Sequence, residues 1–181
     1  MITEDLRRQA KAINFGIIYG MGAFKLSREL GISQKMAQTY IDHYFARYKG
    51  VREFIDSNTE LARKTGRIRT ISGRIRKFPE ISSSNKNIRM MAERAAINTI
   101  IQGSAADLIK IAMINMDKML KDKSLKTRML LTVHDELLFE APSDEVETVT
   151  NLVAQVMESV FDLKVPLKVN VKTGKNWAEA H

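Results

Sequence analysis

The first third of the chain repeats apolar residues at three- and four-residue spacing, which is typical of amphipathic helices. Thr3 is an N-cap candidate, with Glu4 and Asp5 in the first turn, where negative charge is favourable. Glycines stand where successive helices should stop, because glycine readily adopts the left-handed conformation that closes a helix. The pattern predicts helices over residues 3–19, 24–30, 33–48 and 51–65, with Gly50 separating the last two.

The period then changes to two residues, which is typical of β-strands. Residues 67–71 and 74–78 alternate charged and apolar side chains around a Ser72-Gly73 turn, so they predict a small hairpin with one charged face. A long helical stretch follows, from about Asn87 to Leu120. The remaining pattern predicts strands over 129–133 and 136–141 joined across His134-Asp135, a helix over 143–160 and a last strand over 167–171. The chain is therefore predicted to be an α+β protein.

The composition is that of an ordinary globular protein. Of its 181 residues, 44% are hydrophobic and 28% are charged, which excludes disordered and collagen-like classes. Since the chain has no cysteine, it offers no disulfides and no thiol chemistry, and we expect a reducing, intracellular and thus cytoplasmic location. The longest apolar stretch, residues 95–116, contains Asn98, Gln102, Asp107 and Lys110, so no membrane partner is expected.

The net charge of +8 is concentrated in one segment of the chain. Residues 61–94 contain ten basic and two acidic residues, whereas the regions on either side are close to neutral. A positive field of this kind attracts polyanions, and nucleic acid is the leading partner. Arg74 and Arg76 lie at the centre of the segment and are DNA-binding candidates. A solvated basic face without a ligand is the alternative.

Four residues of the first predicted helix, Arg7, Lys11, Phe15 and Tyr19, are spaced by four. They line one stripe about 18 Å long, because every fourth residue is displaced by only about 40° around the helix. The cations lie toward the N-terminal end, where the helix dipole favours anions, and the rings offer flat apolar faces. The stripe therefore suits a nucleoside triphosphate laid along the helix. The alternative is that the rings belong to the core and the cations are merely exposed.

The sequence of this helix closely resembles motif B of the DNA polymerase I family, also called family A DNA polymerases. The resemblance implies a fingers helix that closes over the incoming deoxynucleotide. It implies that Arg7 and Lys11 hold the triphosphate and that Lys11 donates a proton to the leaving pyrophosphate. It also implies that Phe15 and Tyr19 flank the sugar and base. The matching residues are Arg7, Arg8, Lys11, Asn14, Phe15, Gly16, Tyr19 and Gly20.

A second polar series, Arg94, Asn98 and Gln102, recurs at four-residue spacing in the long helical stretch. Amides on a largely apolar helix need partners, and buried amides satisfied by neighbouring backbone are one interpretation. The segment from Glu93 to Asp107 is also similar to the family A helix that lies under the primer-template duplex. This resemblance implies minor-groove and sugar contacts for Asn98 and Gln102. It implies a contact with backbone phosphate for Arg94.

Asp135 and Glu136 are adjacent acids between two apolar runs, a position that predicts burial near a hairpin tip. Burial of two carboxylates requires a compensating cation, for which a divalent metal is the natural choice. Val133 to Glu136, followed by an apolar strand, is similar to motif C of the same family. The resemblance implies that Asp135 ligates the catalytic Mg²⁺ ions and that Glu136 is a weaker or indirect ligand. It places His134 by the primer terminus.

The resemblance covers nearly the whole chain and implies fingers helices over 1–66, a basic hairpin and loop over 67–86, and a partial palm over 87–181. It implies addition of deoxynucleotides to a primer 3′ end by two-metal phosphoryl transfer, with primer-template DNA and deoxynucleoside triphosphates as partners. In this family motif A carries another catalytic Asp upstream of motif B, and it is not in this sequence. We therefore expect the chain to be inactive without that upstream region. A non-catalytic nucleic-acid-binding module derived from the same fold is the alternative.

Overall fold

The computed structural model describes residues 3–180, apart from the side chain of Asp5, so the predicted contribution of Asp5 to the first turn lies outside the described residues. The chain divides into two compact units, the first ending at Gly103 and the second beginning at Ser104. The order of helices and antiparallel strands confirms the α+β prediction. The elements are α1 Glu4–Ile18, α2 Ala23–Leu30, α3 Gln34–Arg47, α4 Lys49–Thr65, β1 Arg67–Arg69, β2 Ile75–Lys77, a 3₁₀ turn Pro79–Ser82, α5 Lys86–Asp122, β3 Arg128–Val133, β4 Glu136–Glu140, α6 Val146–Glu158 and α7 Trp177–Ala180.

The helix ends of the first unit follow from their caps. The side-chain oxygens of Thr3 and Ser33 each accept a hydrogen bond from the backbone N–H three residues later, which starts α1 and α3. Gly31 and Gly66 close α2 and α4 in the left-handed conformation, with φ of 65° and 66°. These ends confirm the sequence predictions. The predicted division into fingers, hairpin and palm concerns polymerase subdomains and stays a prediction.

The predicted break at Gly50 is wrong. α4 begins at Lys49, and Tyr48 is at once the C-cap of α3 and the N-cap of α4. The N–H groups of Val51 and Arg52 both point to the Tyr48 carbonyl oxygen, at 3.0 and 3.4 Å, so the helix continues through Gly50. A glycine within a helix costs only about 1 kcal/mol, which the packing of the following turns offsets.

The core of the first unit lies where α4, the N-terminal part of α5 and the basic hairpin (β1, β2 and their turn) meet. β1 and β2 pair antiparallel, with Ile68 opposite Arg76. Ile68 is buried while Arg67 and Arg69 are exposed, so the predicted alternation is confirmed for β1. It is wrong for β2, in which Ile75 is exposed like the two basic residues after it. Apolar packing therefore fixes the hairpin to α5. The buried cluster consists of Ala62, Ile68, Phe78, Ile81, Ala92 and Ala96.

The second unit is built from the C-terminal part of α5, the β3–β4 hairpin and α6. Antiparallel pairing places Val133 opposite Glu136, so His134 and Asp135 form the two-residue turn that the sequence predicts. A shift of register between Met129 and Leu131 interrupts the ladder. α6 packs on α5 through a buried cluster of Met116, Leu120, Val149, Leu152 and Val153.

The predicted last strand at Leu167–Val171 is wrong, because the described residues contain no strand there. A β-strand needs a neighbour whose N–H and carbonyl groups complete its ladder. β3 and β4 pair with each other, and alternation along 167–171 does not supply a third partner. The backbone N–H of Val169 instead donates to the Glu158 carboxylate at 3.1 Å.

Among the described residues, α5 is the one helix that is long and apolar enough to cross a membrane by length and composition. One such helix indicates little, because the core helices of soluble proteins pass the same test. α5 supplies Ala92 and Ala96 to the first buried cluster and Met116 and Leu120 to the second.

Glu145 ties the start of β3 to the start of α6. Its carboxylate accepts hydrogen bonds from the Thr127 hydroxyl at 2.6 Å, the Lys126 N–H at 2.8 Å and the Thr127 N–H at 2.9 Å. The hydrogen bond from the Thr127 side chain, followed by that from the Lys126 backbone, holds the pKa of Glu145 below its ordinary value. The ionised form of Glu145 is therefore the one that stabilises this junction.

We expect Glu145→Gln to lower the free energy of unfolding at pH 7 and to have little effect at low pH. Since the pKa of Glu145 is lower in the folded state, its stabilisation is present above the unfolded-state pKa and is lost as pH falls through the folded-state pKa. Urea unfolding of the unmodified chain and of Glu145→Gln, from pH 7 down to low pH, measures the difference in the free energy of unfolding. Asp144→Asn, which removes a neighbouring charge, is the control. A Glu145→Gln effect of equal size at every pH would contradict the prediction.

Candidate nucleotide and primer-template site

The predicted stripe of α1 is an accessible surface. Arg7, Lys11 and Phe15 are exposed, and Tyr19 is half-buried at the C-terminal end. The Phe15 and Tyr19 rings stack, with centroids 6.1 Å apart and planes 17° from parallel. The Lys11 ammonium lies 6.0 Å from the centroid of the Phe15 ring. Because the Phe15 side chain is 47% exposed, the interpretation of this ring as a core residue is wrong.

The C-terminal end of α1 depends on Gly20. The Gly20 N–H donates to the Ile17 carbonyl at 3.0 Å, and the Met21 N–H donates to the Gly16 carbonyl at 2.7 Å. This pair of bonds is a Schellman motif, which needs the left-handed φ of 78° that Gly20 adopts. A Cβ added to Gly20 would also lie 3.1 Å from Cγ of Arg94. Glycine at this position therefore ends α1 and lets the Arg94 stem approach its last turn.

Tyr19 meets the polar series of α5 in an open hollow of about 290 Å³. The hollow is lined by Tyr19, Arg94, Ala95, Asn98 and Gln102, so the structure brings together residues that the sequence assigns to two separate motifs. The end of the α1 stripe that is predicted to flank the base and the predicted minor-groove amides thus share one surface.

The amides of this surface are incompletely satisfied. Nδ2 of Asn98 donates to Oε1 of Gln102 at 3.0 Å. Oδ1 of Asn98 is buried and has no hydrogen-bond partner within residues 3–180. The interpretation of amides satisfied by backbone therefore fails for Asn98. A buried acceptor left unpaired costs about 1–3 kcal/mol, which a hydrogen-bond donor of a bound ligand would recover.

The Arg94 position is supported from α4. Nε of Arg63 lies 2.7 Å from Oε1 of Glu93, whose side chain is only 15% exposed. The hydrogen bond to Glu93 raises the pKa of Arg63 above its ordinary value. This ion pair joins α4 to α5 one residue before Arg94.

The two hairpin arginines predicted to bind DNA are engaged with α5. Nη1 of Arg76 donates to the Thr99 hydroxyl at 3.0 Å, and Nη2 of Arg74 lies 3.5 Å from the Gly103 carbonyl oxygen. The predicted charged face is therefore not simply solvated at its centre. Sequence reasoning missed Thr99 and Gly103, because neither belongs to a polar series and only the folded hairpin brings the arginines to them.

The acid pair lies in the second unit. His134, Asp135 and Glu136 are all exposed, so the predicted burial of the carboxylates is wrong. The turn that joins β3 to β4 carries Asp135 away from the apolar runs. His134 has φ of 55°, a left-handed conformation that costs about 1–2 kcal/mol in a residue other than glycine. Such strain often accompanies a functional position.

Metal ligands are only partly supplied. Among the side chains that the structure describes, no group of three or more His, Cys, Asp or Glu could hold a metal ion. Asp135 and Glu136 offer carboxylate oxygens, which suit Mg²⁺. The pair therefore supplies some of the ligands of a Mg²⁺ site but not all of them.

Comparison with known proteins agrees with the motifs. The family model of DNA polymerase family A matches residues 1–179. DNA polymerase I of Bacillus subtilis is 50% identical over 179 residues, which cover 99% of this chain and 20% of the relative. DNA polymerase I of Lactococcus lactis subsp. cremoris is 49% identical with the same coverage. The chain thus spans about a fifth of the length of these relatives.

A solved structure is similar over the same range. It is described as the "POL domain of Pol1 from M. smegmatis complex with DNA primer-template and dNTP", and it is 46% identical in sequence with a TM-score of 0.95. The match covers 99% of this chain and 32% of that one. Sequence and structure together show that the chain belongs to DNA polymerase family A.

Proposed function

We propose that the chain supplies the nucleotide-binding helix and part of the primer-template surface of a DNA-directed DNA polymerase, which adds deoxynucleotides to a primer 3′ end. The observation that carries this proposal is the hollow in which Tyr19, at the end of the exposed α1 stripe, meets the polar series of α5. A nucleotide on the stripe would place its base beside the amides that contact the primer end. The M. smegmatis relative, described in complex with primer-template and dNTP, supports the assignment.

On α1 we assign the triphosphate to the cations and the sugar and base to the rings. Arg7 and Lys11 are exposed on the N-terminal part of the stripe, where the helix dipole adds to their charge. Phe15 and Tyr19 stack at its other end and offer apolar faces. Lys11, the nearer cation to the rings, is proposed to protonate the leaving pyrophosphate.

To the polar series of α5 we assign DNA contacts that do not depend on the base sequence of the DNA. Asn98 and Gln102 face minor-groove acceptors and sugars, and the unpaired Asn98 Oδ1 offers an acceptor in return. Arg94 contacts a backbone phosphate. His134 is proposed to lie near the primer terminus.

Divalent metals serve family A polymerases generally. We propose that Asp135 is a principal Mg²⁺ ligand and that Glu136 is a weaker one. The metal would supply charge stabilisation at the transferring phosphate. Because the described residues lack a third ligand beside this pair, we propose that further carboxylates are supplied by other parts of the polymerase. The acid pair therefore acts in the reaction only together with these further carboxylates.

The incomplete metal site favours a second candidate, a nucleic-acid-binding module without catalysis. The two proposals make the same prediction for DNA binding. They differ in whether the chain supports synthesis when joined to the rest of a family A polymerase.

DNA binding by the 181-residue chain tests what both proposals share. We expect it to bind primer-template DNA with little sequence preference and with an affinity that falls steeply between low and moderate salt, because phosphate contacts release counterions. Fluorescence anisotropy over a salt series measures this. Affinity that does not change with salt, or no binding at low salt, would refute the proposal.

A matched pair of variants locates the contact. Arg94→Gln should lower the slope of log affinity against log salt by about one, the loss of one phosphate contact. Arg47→Gln removes the same charge from the exposed last turn of α3, outside the hollow, and should leave the slope nearly unchanged.

A further inference from the structure

The basic hairpin carries a contact that its charge alone does not explain. The Arg76 guanidinium donates to the Thr99 hydroxyl at 3.0 Å and lies over the Phe78 ring, 5.1 Å from its centroid. Both neighbours are buried, Thr99 at 7% and Phe78 at 4% exposure. An arginine that served only to attract phosphate would have no need of a buried partner.

The hydrogen bond between Arg76 and Thr99 has a fixed direction. The Thr99 hydroxyl donates its single proton to the Ala95 carbonyl at 2.7 Å. Its lone pairs are therefore left to accept, and Arg76 can only donate. Thr99 thus links the hairpin to the backbone of α5 through one oxygen atom.

A second contact lies one turn further along α5. A Cβ added to Gly103 would come within 2.8 Å of the Thr70 methyl group, so the hairpin approaches the helix closely there. The Arg74 guanidinium lies 3.5 Å from the Gly103 carbonyl oxygen. The hairpin therefore touches α5 at Thr99 and Gly103, two positions spaced by four on one stripe of the helix.

These two positions each follow a member of the polar series. Asn98 precedes Thr99 and Gln102 precedes Gly103. Since neighbouring residues on a helix are separated by about 100°, a contact that fixes the rotation of one stripe also fixes the direction of the stripe beside it. The Asn98–Gln102 hydrogen bond joins the two side chains of that neighbouring stripe.

We propose that Arg76 is a positioning residue: through Thr99 it sets the rotation of α5 and so holds Asn98 and Gln102 toward the primer-template duplex. This role rests on the proposed function of those amides. It replaces the simpler assignment of Arg76 as a phosphate contact.

Thr99→Val is the central test, because it keeps nearly the same shape, changes no charge and removes the hydroxyl that accepts from Arg76 and donates to the Ala95 carbonyl. We expect it to weaken primer-template affinity about tenfold with the salt slope unchanged. Thr99→Ser, which keeps the hydroxyl, should bind as the unmodified chain does. The double variant Arg76→Gln, Thr99→Val should bind primer-template DNA no more weakly than whichever single variant binds it less tightly, because both substitutions remove the same hydrogen bond.

Dependence on the amides separates positioning from a general structural role. In an Asn98→Ala, Gln102→Ala background, Thr99→Val should have no further effect on DNA affinity. An equal loss in both backgrounds would overturn the proposal. So would a Thr99→Val chain that binds like the unmodified one while Arg76→Gln lowers the salt slope by about one, the behaviour of a phosphate contact.

A measurement without DNA keeps the inference testable if the proposed function fails. The side-chain amide signals of Asn98 and Gln102 in ¹⁵N NMR spectra should shift in Thr99→Val and in Arg76→Gln. Arg67→Gln is the matched control, since it removes one charge from the same hairpin at a residue exposed beside Ile68, and it should leave those signals in place. Unchanged amide signals in all three variants would refute the positioning role whatever the chain binds.

Discussion

Replacing Asp135 by alanine will abolish primer extension in a polypeptide that joins these 181 residues to the preceding region of the Bacillus subtilis relative. The reason is that Asp135 is the proposed principal metal ligand of this chain. A bound metal contributes several kcal/mol of charge stabilisation in phosphoryl transfer, so we expect a loss of at least about a thousandfold in rate. Single-turnover extension of a labelled primer in Mg²⁺ measures it. The 181-residue chain alone should give no detectable extension.

The matched control is Asp162→Ala, which removes the same charge from an exposed position outside the β3–β4 hairpin and should leave extension intact. Extension by the Asp135→Ala polypeptide at the normal rate would contradict the ligand assignment. Failure of the joined polypeptide itself would favour the binding module without catalysis. Strong Mg²⁺-dependent synthesis by the 181-residue chain alone would contradict the partial-site proposal.

The second large effect concerns Lys11. In the same joined polypeptide, Lys11→Ala should slow the chemical step by about 10²–10⁴-fold, the usual contribution of a positioned general acid, and change nucleotide affinity less. Arg7 lies one turn toward the N-terminus. Its guanidinium can hold the triphosphate but is a poor proton donor, because arginine keeps its proton, so Arg7→Ala should mainly weaken binding of the triphosphate. Single-turnover rates over a range of deoxynucleotide concentrations separate the two effects.

Lys25→Ala is the control for Lys11, since Lys25 is an exposed lysine of the neighbouring helix α2. If Lys11→Ala and Arg7→Ala both weaken binding and leave the maximum rate intact, Lys11 is a triphosphate contact and not a proton donor.

The sequence predicted the local features well because their causes are local. The Thr3 and Ser33 caps, the glycines that close α2 and α4, and the His134-Asp135 turn each depend on a few neighbouring residues. The α1 stripe likewise needs only the helical period.

Two wrong predictions and one missed contact depend on the fold around a segment and not on the residue pattern of that segment. Leu167–Val171 has the alternation of a strand but no neighbour that completes a ladder. The engagement of Arg76 required Thr99, 23 residues away, which no spacing rule connects to the hairpin. The exposure of Asp135 followed from the turn geometry and not from the apolar runs around it.

The backbone at His134 has a consequence for how this chain responds to selection. A residue other than glycine with φ of 55° carries a cost of about 1–2 kcal/mol that glycine would avoid and asparagine would reduce. In a library of variants at position 134 sorted for thermal stability alone, glycine and asparagine should therefore displace histidine. The same library sorted for DNA synthesis in the joined polypeptide should retain histidine. Selection for thermal stability and selection for DNA synthesis should therefore favour different residues at position 134.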